Sequence, residues 1–335
     1  MRRAHDPGLF TSRCDSFCNA RMVAIPRVCA EERRSVLPKT PTPPPLTKSR
    51  SLHMHIPLKD LMFEMRSLEP FPGVAARVLE LSSKKDVVPS ELIDLVQTDP
   101  GITAKVLKLC NSAYYGFQRE IASLHEAGNL LGVTTLVNLV LTSSAGKYFR
   151  DYGKADDGQM QKRWEQCVAN AIGSRIIASR HGKVDPERAY TAGLLENIGH
   201  LVLDRFLDSS MEAIRAVALS GTDLIDAEKK VLGMHHAEIG ARLTTRWSLP
   251  EVLVDVIRHH HHPELAGESA ELAATIHLAE ILTQEMLTAR GEGDSLMYEV
   301  NEAACQLTGL SMADLGELTG LLSGEMERAR DFVKG

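Results

Sequence analysis

Gly193-Leu-Leu-Glu-Asn-Ile-Gly199 places two polar residues inside a helical pattern where a buried face should continue. The helix that carries it opens well: Asp185 can accept from the free amides of the first turn, and Pro186 follows at the position that has no donor to lose. Tyr190, Leu194, Asn197 and Leu201 fall at i, i+4, i+7 and i+11 and so share one face, which predicts that Asn197 points inward. An amide facing a core needs partners, and these should come from other helices with polar residues on their apolar faces.

Working outward, a chain of 335 residues with 44% hydrophobic content can build one large or two ordinary domains. Aromatics are only 5%, Leu, Ala and Glu are plentiful, and no sustained period-2 alternation occurs, so the fold class is all-α. A net charge of −6 gives no general attraction to nucleic acid or to an anionic membrane. No apolar run reaches the ~18 residues of a membrane span, and the N-terminus lacks the continuous apolar core of a signal peptide. Cys14, Cys18, Cys29, Cys110, Cys167 and Cys305 lack zinc-ribbon spacing, and Cys110 and Cys167 lie in helical apolar patterns as small buried hydrophobes. A cytoplasmic location is expected.

The charge is uneven. Residues 1–50 carry ten Lys/Arg and four Asp/Glu, a net of +6 that leaves −12 for the remainder. With Pro38-Lys-Thr-Pro-Thr-Pro-Pro-Pro-Leu46, residues 1–53 read as a disordered, basic, Pro-rich tail. Residues 54–150 form an N-terminal helical bundle, with helices marked by Leu58, Leu61, Met62 and Met65, by Val74, Val78 and Leu81, by Leu92, Ile93 and Val96 after Ser90, and by Ile102, Val106, Leu109 and Cys110. Ser123-Leu-His-Glu126 is a capping box opening a helix through Leu131, and Gly132 separates it from a longer one, Val133 to about Phe149. Asp151–Gly158 reads as a linker.

A second helical subdomain, 151–288, follows, with helices expected over Trp164–His181, from Asp185, over Leu203–Leu219, Asp223–Leu232, Met234–Trp247, Pro250–His260 and Ala270–Arg290. Residues 289–335 add two C-terminal helices, the last opened by a second capping box, Ser311-Met-Ala-Asp314; their expected role is to close the bundle.

The chemistry-bearing residues lie in this second half. His236 shares a helix face with Ile239, Gly240, Leu243 and Trp247; Leu253 and Ile257 sit below His260 and His261; Glu280 follows Leu272 and Ile276 at helical spacing. Four helices thus aim Glu196 with Asn197, His236, His260 with His261, and Glu280 toward one interior. Imidazoles and carboxylates converging from separate helices are what a divalent metal site requires. The bland reading is a hydrogen-bonded polar core.

Several segments in order resemble the HDOD domain. Pro70-Phe-Pro-Gly-Val-Ala75, Asp99-Pro100, Asn111-Ser-Ala-Tyr-Tyr-Gly116 and Leu131-Gly132 are similar to its N-terminal half. Gly193–Gly199, His235-His-Ala-Glu-Ile-Gly240, Trp247-Ser-Leu-Pro250 and the histidine run to Pro263 are similar to its C-terminal half, and the match covers about 68–264. The resemblance implies an N-terminal bundle packed on a subdomain like that of HD-superfamily metal phosphohydrolases, including the HD-GYP cyclic-dinucleotide phosphodiesterases. It also implies a bacterial signalling or output module whose catalytic signature has decayed.

An HD hydrolase would place a histidine at Gln166, its His-Asp doublet at Glu196 and Asn197, and an aspartate near Glu280, and none of these is intact. An amide at 197 cannot act as a bridging anion. His200 stands where a lysine commonly follows the doublet's glycine, one turn from Glu196 and able to pair with it. His236, His260 and His261 do match additional histidines of the HD-GYP pattern, but the Gly-Tyr-Pro signature after Glu264 is missing.

The expected function is therefore a non-catalytic signal-transduction module acting through protein–protein interaction, not an enzyme. It has no catalytic residues and a vestigial metal pocket drawn from Gln166, Glu196, Asn197, His236, His260, His261 and Glu280. No cofactor is expected, a divalent metal held without turnover being the alternative. Partners are other signalling proteins, with no specific nucleic acid and no membrane. A metal-dependent phosphohydrolase or phosphodiesterase is the second function class. A nucleic-acid-binding regulator is the third, and there Lys105 and Lys108 are offset by Glu91, Asp94 and Asp99.

Overall fold

A computed structural model describes residues 58–84, 88–152, 157–203, 207–292 and 298–334. Helices α1 (Leu58–Ser67), α2 (Gly73–Ser82), α3 (Pro89–Gln97), α4 (Pro100–Cys110), α5 (Leu124–Leu131) and α6 (Val133–Tyr152) make the N-terminal half. The second half holds α7 (Asp157–His181), α8 (Pro186–Leu195), α9 (His200–Leu203), α10 (Leu207–Leu219), α11 (Leu224–Leu232), α12 (His236–Arg246), α13 (Glu251–His259) and α14 (Ala270–Ala289). It ends in α15 (Glu302–Thr308), α16 (Met312–Arg328) and α17 (Arg330–Lys334). The described residues contain no strand, so the fold is all-α. Nor is any described helix long and apolar enough to cross a membrane. The expected tail over residues 1–53, the helix start at Ile56 and the centre of the 151–158 linker lie outside the described residues.

Local chemistry sets most helix starts. Asp99 accepts from the amides of Gly101 and Ile102 with Pro100 in the first helical position, Asp223 accepts from Ile225, and Ser311 with Asp314 closes a full capping box. At Ser123 the box is only half made: its hydroxyl accepts from the Glu126 amide, but the Glu126 carboxylate accepts from Ala122. Gly132 and Gly233 end their helices at φ 84° and 79°, a region that glycine enters without steric cost.

Some boundaries differ from the sequence pattern. α7 begins at Asp157, a full seven residues before Trp164, and α10 begins at Leu207, Leu203 belonging to α9. The C-terminal segment holds three helices where two were expected, because the chain turns at Ala329 and restarts as α17. These helices do close the core: α15 and α16 pack on α14, α16 and α17 pack on α7, and Leu315, Leu318, Leu322, Met326 and Phe332 are buried.

The Asn111–Gly116 segment is a staple between halves. The Asn111 amide donates to the carbonyls of Leu107 and Ile121, both at 2.9 Å, and its oxygen accepts from the Ile121 amide at 2.8 Å. Tyr114 and Tyr115 pack on Phe332 of α17, and Arg175 of α7 donates to the Tyr114 hydroxyl at 3.1 Å while pairing with Glu187 at 3.0 Å. Asn111→Ala, which strands the Ile121 amide and carbonyl, is expected to lower unfolding free energy by about 2 kcal/mol. Urea unfolding of the variant beside the wild type measures this; an unchanged midpoint would mean that solvent satisfies both groups.

Candidate metal centre

The scaffold of the site is set by two glycines on and after α8. A Cβ at Gly193 would lie 2.3 Å from the Ser174 hydroxyl and 2.7 Å from the Asn170 carbonyl, so α8 crosses α7 at a distance only glycine allows. A Cβ at Gly199 would lie 2.0 Å from the His236 carbonyl oxygen. Between them the helix does not continue as its periodicity predicts: α8 stops at Leu195, Glu196–Gly199 is a 3₁₀ turn with Asn197 at φ −90° and ψ 16°, and α9 resumes at His200. Side chains rotate by 120° per residue in such a turn instead of 100°, which turns Glu196 fully inward beside Asn197. Glu196 is fully buried; Asn197 is half-buried as a residue, but its side-chain oxygen is buried and its amide reaches Glu196 and Glu280, so it faces the interior as its spacing predicts.

Glu196 is held from α7. The Asn170 amide donates to Glu196 Oε1, and the Asn197 amide reaches the same oxygen at 3.3 Å. Burial, then the neighbouring Glu280 charge, push the Glu196 carboxyl well above its ordinary range, against the Asn170 hydrogen bond. Gln166 does not join this group: it sits half-buried one turn earlier on α7, and Asn170 occupies the role. His200 does not pair with Glu196 either; its ring stacks on His236 with centroids 4.3 Å apart, and a ring nitrogen lies near Glu228.

The remaining candidates do converge. His236, His260, His261 and Glu280 are all buried, and one ligand atom from each lies within 4.8 Å of the others. Glu228 on α11 accepts from the His236 backbone amide at 2.9 Å and from its Nδ1 at 2.8 Å. The Glu228 carboxylate therefore fills the capping place that the His235 side chain leaves empty. His260 Nδ1 donates to the Ile257 carbonyl at 2.8 Å. With both Nδ1 atoms engaged as donors, the Nε2 atoms of His236 and His260 face each other as lone pairs 3.4 Å apart, and His261 Nε2 stands 3.0 Å from His236 Nε2.

The lone pair of His236 Nε2 can be met by a proton on His261 Nε2, or the facing nitrogens can be bridged by a metal. A metal fits the imidazoles: the 3.4 and 3.0 Å Nε2 separations are close to the roughly 3.3 Å edge of a tetrahedron of donors about 2.0–2.1 Å from zinc, and a Glu280 oxygen lies within 4.8 Å. Buried Glu280 Oε2 has no hydrogen-bond partner and lies 3.7 Å from His261 Nδ1. The Glu228–His236 pair also has the form of a carboxylate that orients a metal-ligating imidazole.

The electrostatics describe the proton-filled alternative. Burial opposes charge on His236, but Glu228 outweighs it and raises the imidazole above its ordinary value, while His236 holds Glu228 below its own. Burial and then the His236 charge drive His260 well down; burial, His260 and His236 do the same to His261. Burial pushes Glu280 up to about 7, against the pull of His236 and the Asn197 amide.

Sequence reasoning missed Asn170, Glu228 and Tyr298, whose ring packs on His261 with centroids 4.5 Å apart. Two of these were marked in the chain. Glu228 falls with Ile225 and Val231 on the apolar face of α11, and Asn170 interrupts the apolar run from Cys167 to Ile172. Tyr298 follows undescribed residues and carries no periodic signal.

An all-helical unit with imidazoles and carboxylates buried between its helices falls in the class of HD-like helical domains. Within that class the chain belongs to the HDOD domain family, whose model matches residues 68–263. An uncharacterized protein of Treponema pallidum (strain Nichols) is 27% identical over 222 residues, which is 64% of this chain and 42% of that protein, so the chain spans less than half of that relative. Among solved structures, an HDOD domain protein of unknown function from Geobacter sulfurreducens is 25% identical with a TM-score of 0.64, covering 83% of this chain and 97% of its own. A proposed phosphohydrolase from Shewanella amazonensis SB2B is 27% identical with a TM-score of 0.63, covering 82% and 97%.

Proposed function

We propose that this chain is a non-catalytic bacterial signalling module that acts by binding other signalling proteins, and that its buried cluster holds one divalent cation as a structural element. Membership of the HDOD family supports the signalling role. The observation that carries the non-catalytic reading is the state of the doublet positions, where a His-Asp doublet would present an imidazole and an aspartate. Asn197 has no charge to offer, and the Asn170 and Asn197 amides take up one oxygen of Glu196, leaving only its buried Oε2 unpaired. His236, His260, His261 and Glu280 would hold the ion, and four protein donors leave no open position for water or substrate, as in structural sites. When bound, the ion would accept the facing imidazole lone pairs and offset the charge of the Glu280 carboxylate.

Elemental analysis of the full chain after gel filtration, with His260→Ala beside it, tests the cluster; a phosphodiester hydrolysis assay on both tests catalysis. About one metal equivalent in the wild type, lost in the variant, with no turnover by either, is the expected result. Turnover by the wild type that disappears in His260→Ala would establish the phosphohydrolase reading instead. Metal-free protein in both preparations would leave the cluster filled by a proton.

A further inference from the structure

Away from the histidine cluster, α4, α6 and α17 border a small cavity of about 140 Å³ whose lining includes Leu109 and Phe332 and whose polar groups are mostly charged. Lys105 and Lys108 line it from α4, Thr142, Ser143 and Arg150 from α6, and Asp331 from α17. Three cations therefore face one carboxylate. Among the described residues none of the three is in an ion pair, and Lys147 adds a fourth positive charge nearby, with Asp151 as a second carboxylate. Burial, then Arg150, Lys147 and Lys108, lower the Lys105 ammonium below its ordinary value, and Asp151 opposes this. Positive charges are crowded here against their own repulsion.

One hydroxyl in the wall lacks a partner. Thr142 Oγ1 donates to the Asn138 carbonyl at 2.8 Å, the usual bond for a hydroxyl within a helix. Ser143, the next residue, is 8% exposed, and its Oγ makes no hydrogen bond at all. A buried hydroxyl that forgoes its own helix carbonyl at the wall of a cationic cavity is a donor available to an anion.

We propose that this cavity binds the phosphate group of a small phosphate monoester, with Lys105, Lys108 and Arg150 neutralising it and Ser143 donating to one oxygen. The lining's surplus of two positive charges, three cations against Asp331, matches the roughly −1.5 to −2 charge of a phosphate monoester at neutral pH. The volume has room for about four or five waters, hence for the phosphate group alone. The organic part extends into an adjoining open cleft of about 610 Å³ that shares Lys108 and Asp331 as its walls and is bordered by Leu107, Glu120 and Ile121. This site is independent of the metal cluster and of the signalling role proposed above.

Calorimetric titration of the full chain with adenosine monophosphate and with inorganic phosphate, at constant ionic strength against a chloride control, tests the site. Saturable binding of at least one probe is expected, weakened about tenfold or more by Lys105→Gln and by Arg150→Gln, both at positions that carry no packing role in the core. Ser143→Ala is expected to weaken binding severalfold while leaving the thermal midpoint of the phosphate-free protein unchanged or higher, since it removes an unsatisfied buried hydroxyl. Tighter binding of adenosine monophosphate than of phosphate would support occupancy of the cleft as well. No saturable heat with either probe up to roughly 10 mM, a range that still detects millimolar affinity, would overturn the proposal, as would binding indifferent to all three substitutions. Retention of single-stranded RNA, abolished by the same substitutions with neither small probe bound, would overturn it in favour of a nucleic-acid surface.

Discussion

Gly199→Ala is expected to lower the thermal midpoint by about 6 °C or more, the counterpart of about 3 kcal/mol in a chain of this size. The added methyl would lie 2.0 Å from the His236 carbonyl oxygen, 2.9 Å from the His236 carbonyl carbon and 2.8 Å from the Gly240 amide nitrogen. All three are backbone atoms, so no rotamer change can clear them and two helices must move apart. The movement would strike the site as well, because the carbonyl belongs to the residue whose imidazole stands at the centre of the cluster. Gly240→Ala should cost less: its nearest obstacle is the Ile257 Cγ2 methyl at 2.9 Å, and the Gly199 amide is 3.3 Å away. Gly316→Ala, within α16 and with nothing within 4 Å, should be neutral or gain roughly 0.5–1 kcal/mol from helix propensity. Differential scanning calorimetry of the three variants ranks them; a Gly199→Ala midpoint within about 1 °C of the wild type would mean that the crossing is looser than its backbone contacts imply.

That same crossing explains where the sequence stopped being informative. The helix starts at Asp185 and Ser311 were legible because a cap is local: each side chain bonds amides two or three residues ahead. The 3₁₀ turn at Glu196–Gly199 was not, since its cause is a contact with a backbone some forty residues later, which no periodicity within the segment encodes. Asn170 was missed for a related reason. Residues 168–174 of α7 are all buried, so that stretch has no polar face from which to read a direction. α14 is buried throughout 272–283, and Glu280 could be placed inside but not aimed. By contrast α12 is exposed on one side, and there the pattern located His236 correctly.

Metal-free protein is expected to lose most of its stability as pH falls from about 7 to about 4. His235 and His277 are both driven down to about 4, by burial first, with the His236 charge second at His235 and the His262 charge the main further depressing influence at His277. His200, His260 and His261 are lowered further, again by burial first. Between the folded value of about 4 and the ordinary 6.5 the unfolded chain binds more protons at these residues than the folded one, so their contribution is present above 6.5 and is lost as pH falls. Glu280 works in the opposite sense: raised to about 7, it favours the fold below its ordinary 4.5, and that contribution fades as pH rises through 7. Glu196 and His236, both raised, share its sign. Five lowered imidazoles against three raised groups leave acid as the destabilising direction, with His235 and His277 alone costing on the order of 5 kcal/mol near pH 4, comparable to the whole stability of many domains. Chemical unfolding at pH 8, 6.5, 5 and 4 in the presence of a chelator measures the slope. Glu280→Gln separates the two signs: it removes an opposing carboxylate, so the variant should gain on the wild type at pH 8 and lose that advantage toward pH 5. Stability that stays level from pH 8 to 4 would mean that the buried imidazoles take up protons without disturbing the fold, and the lone-pair arrangement around His236 would then have to be wrong.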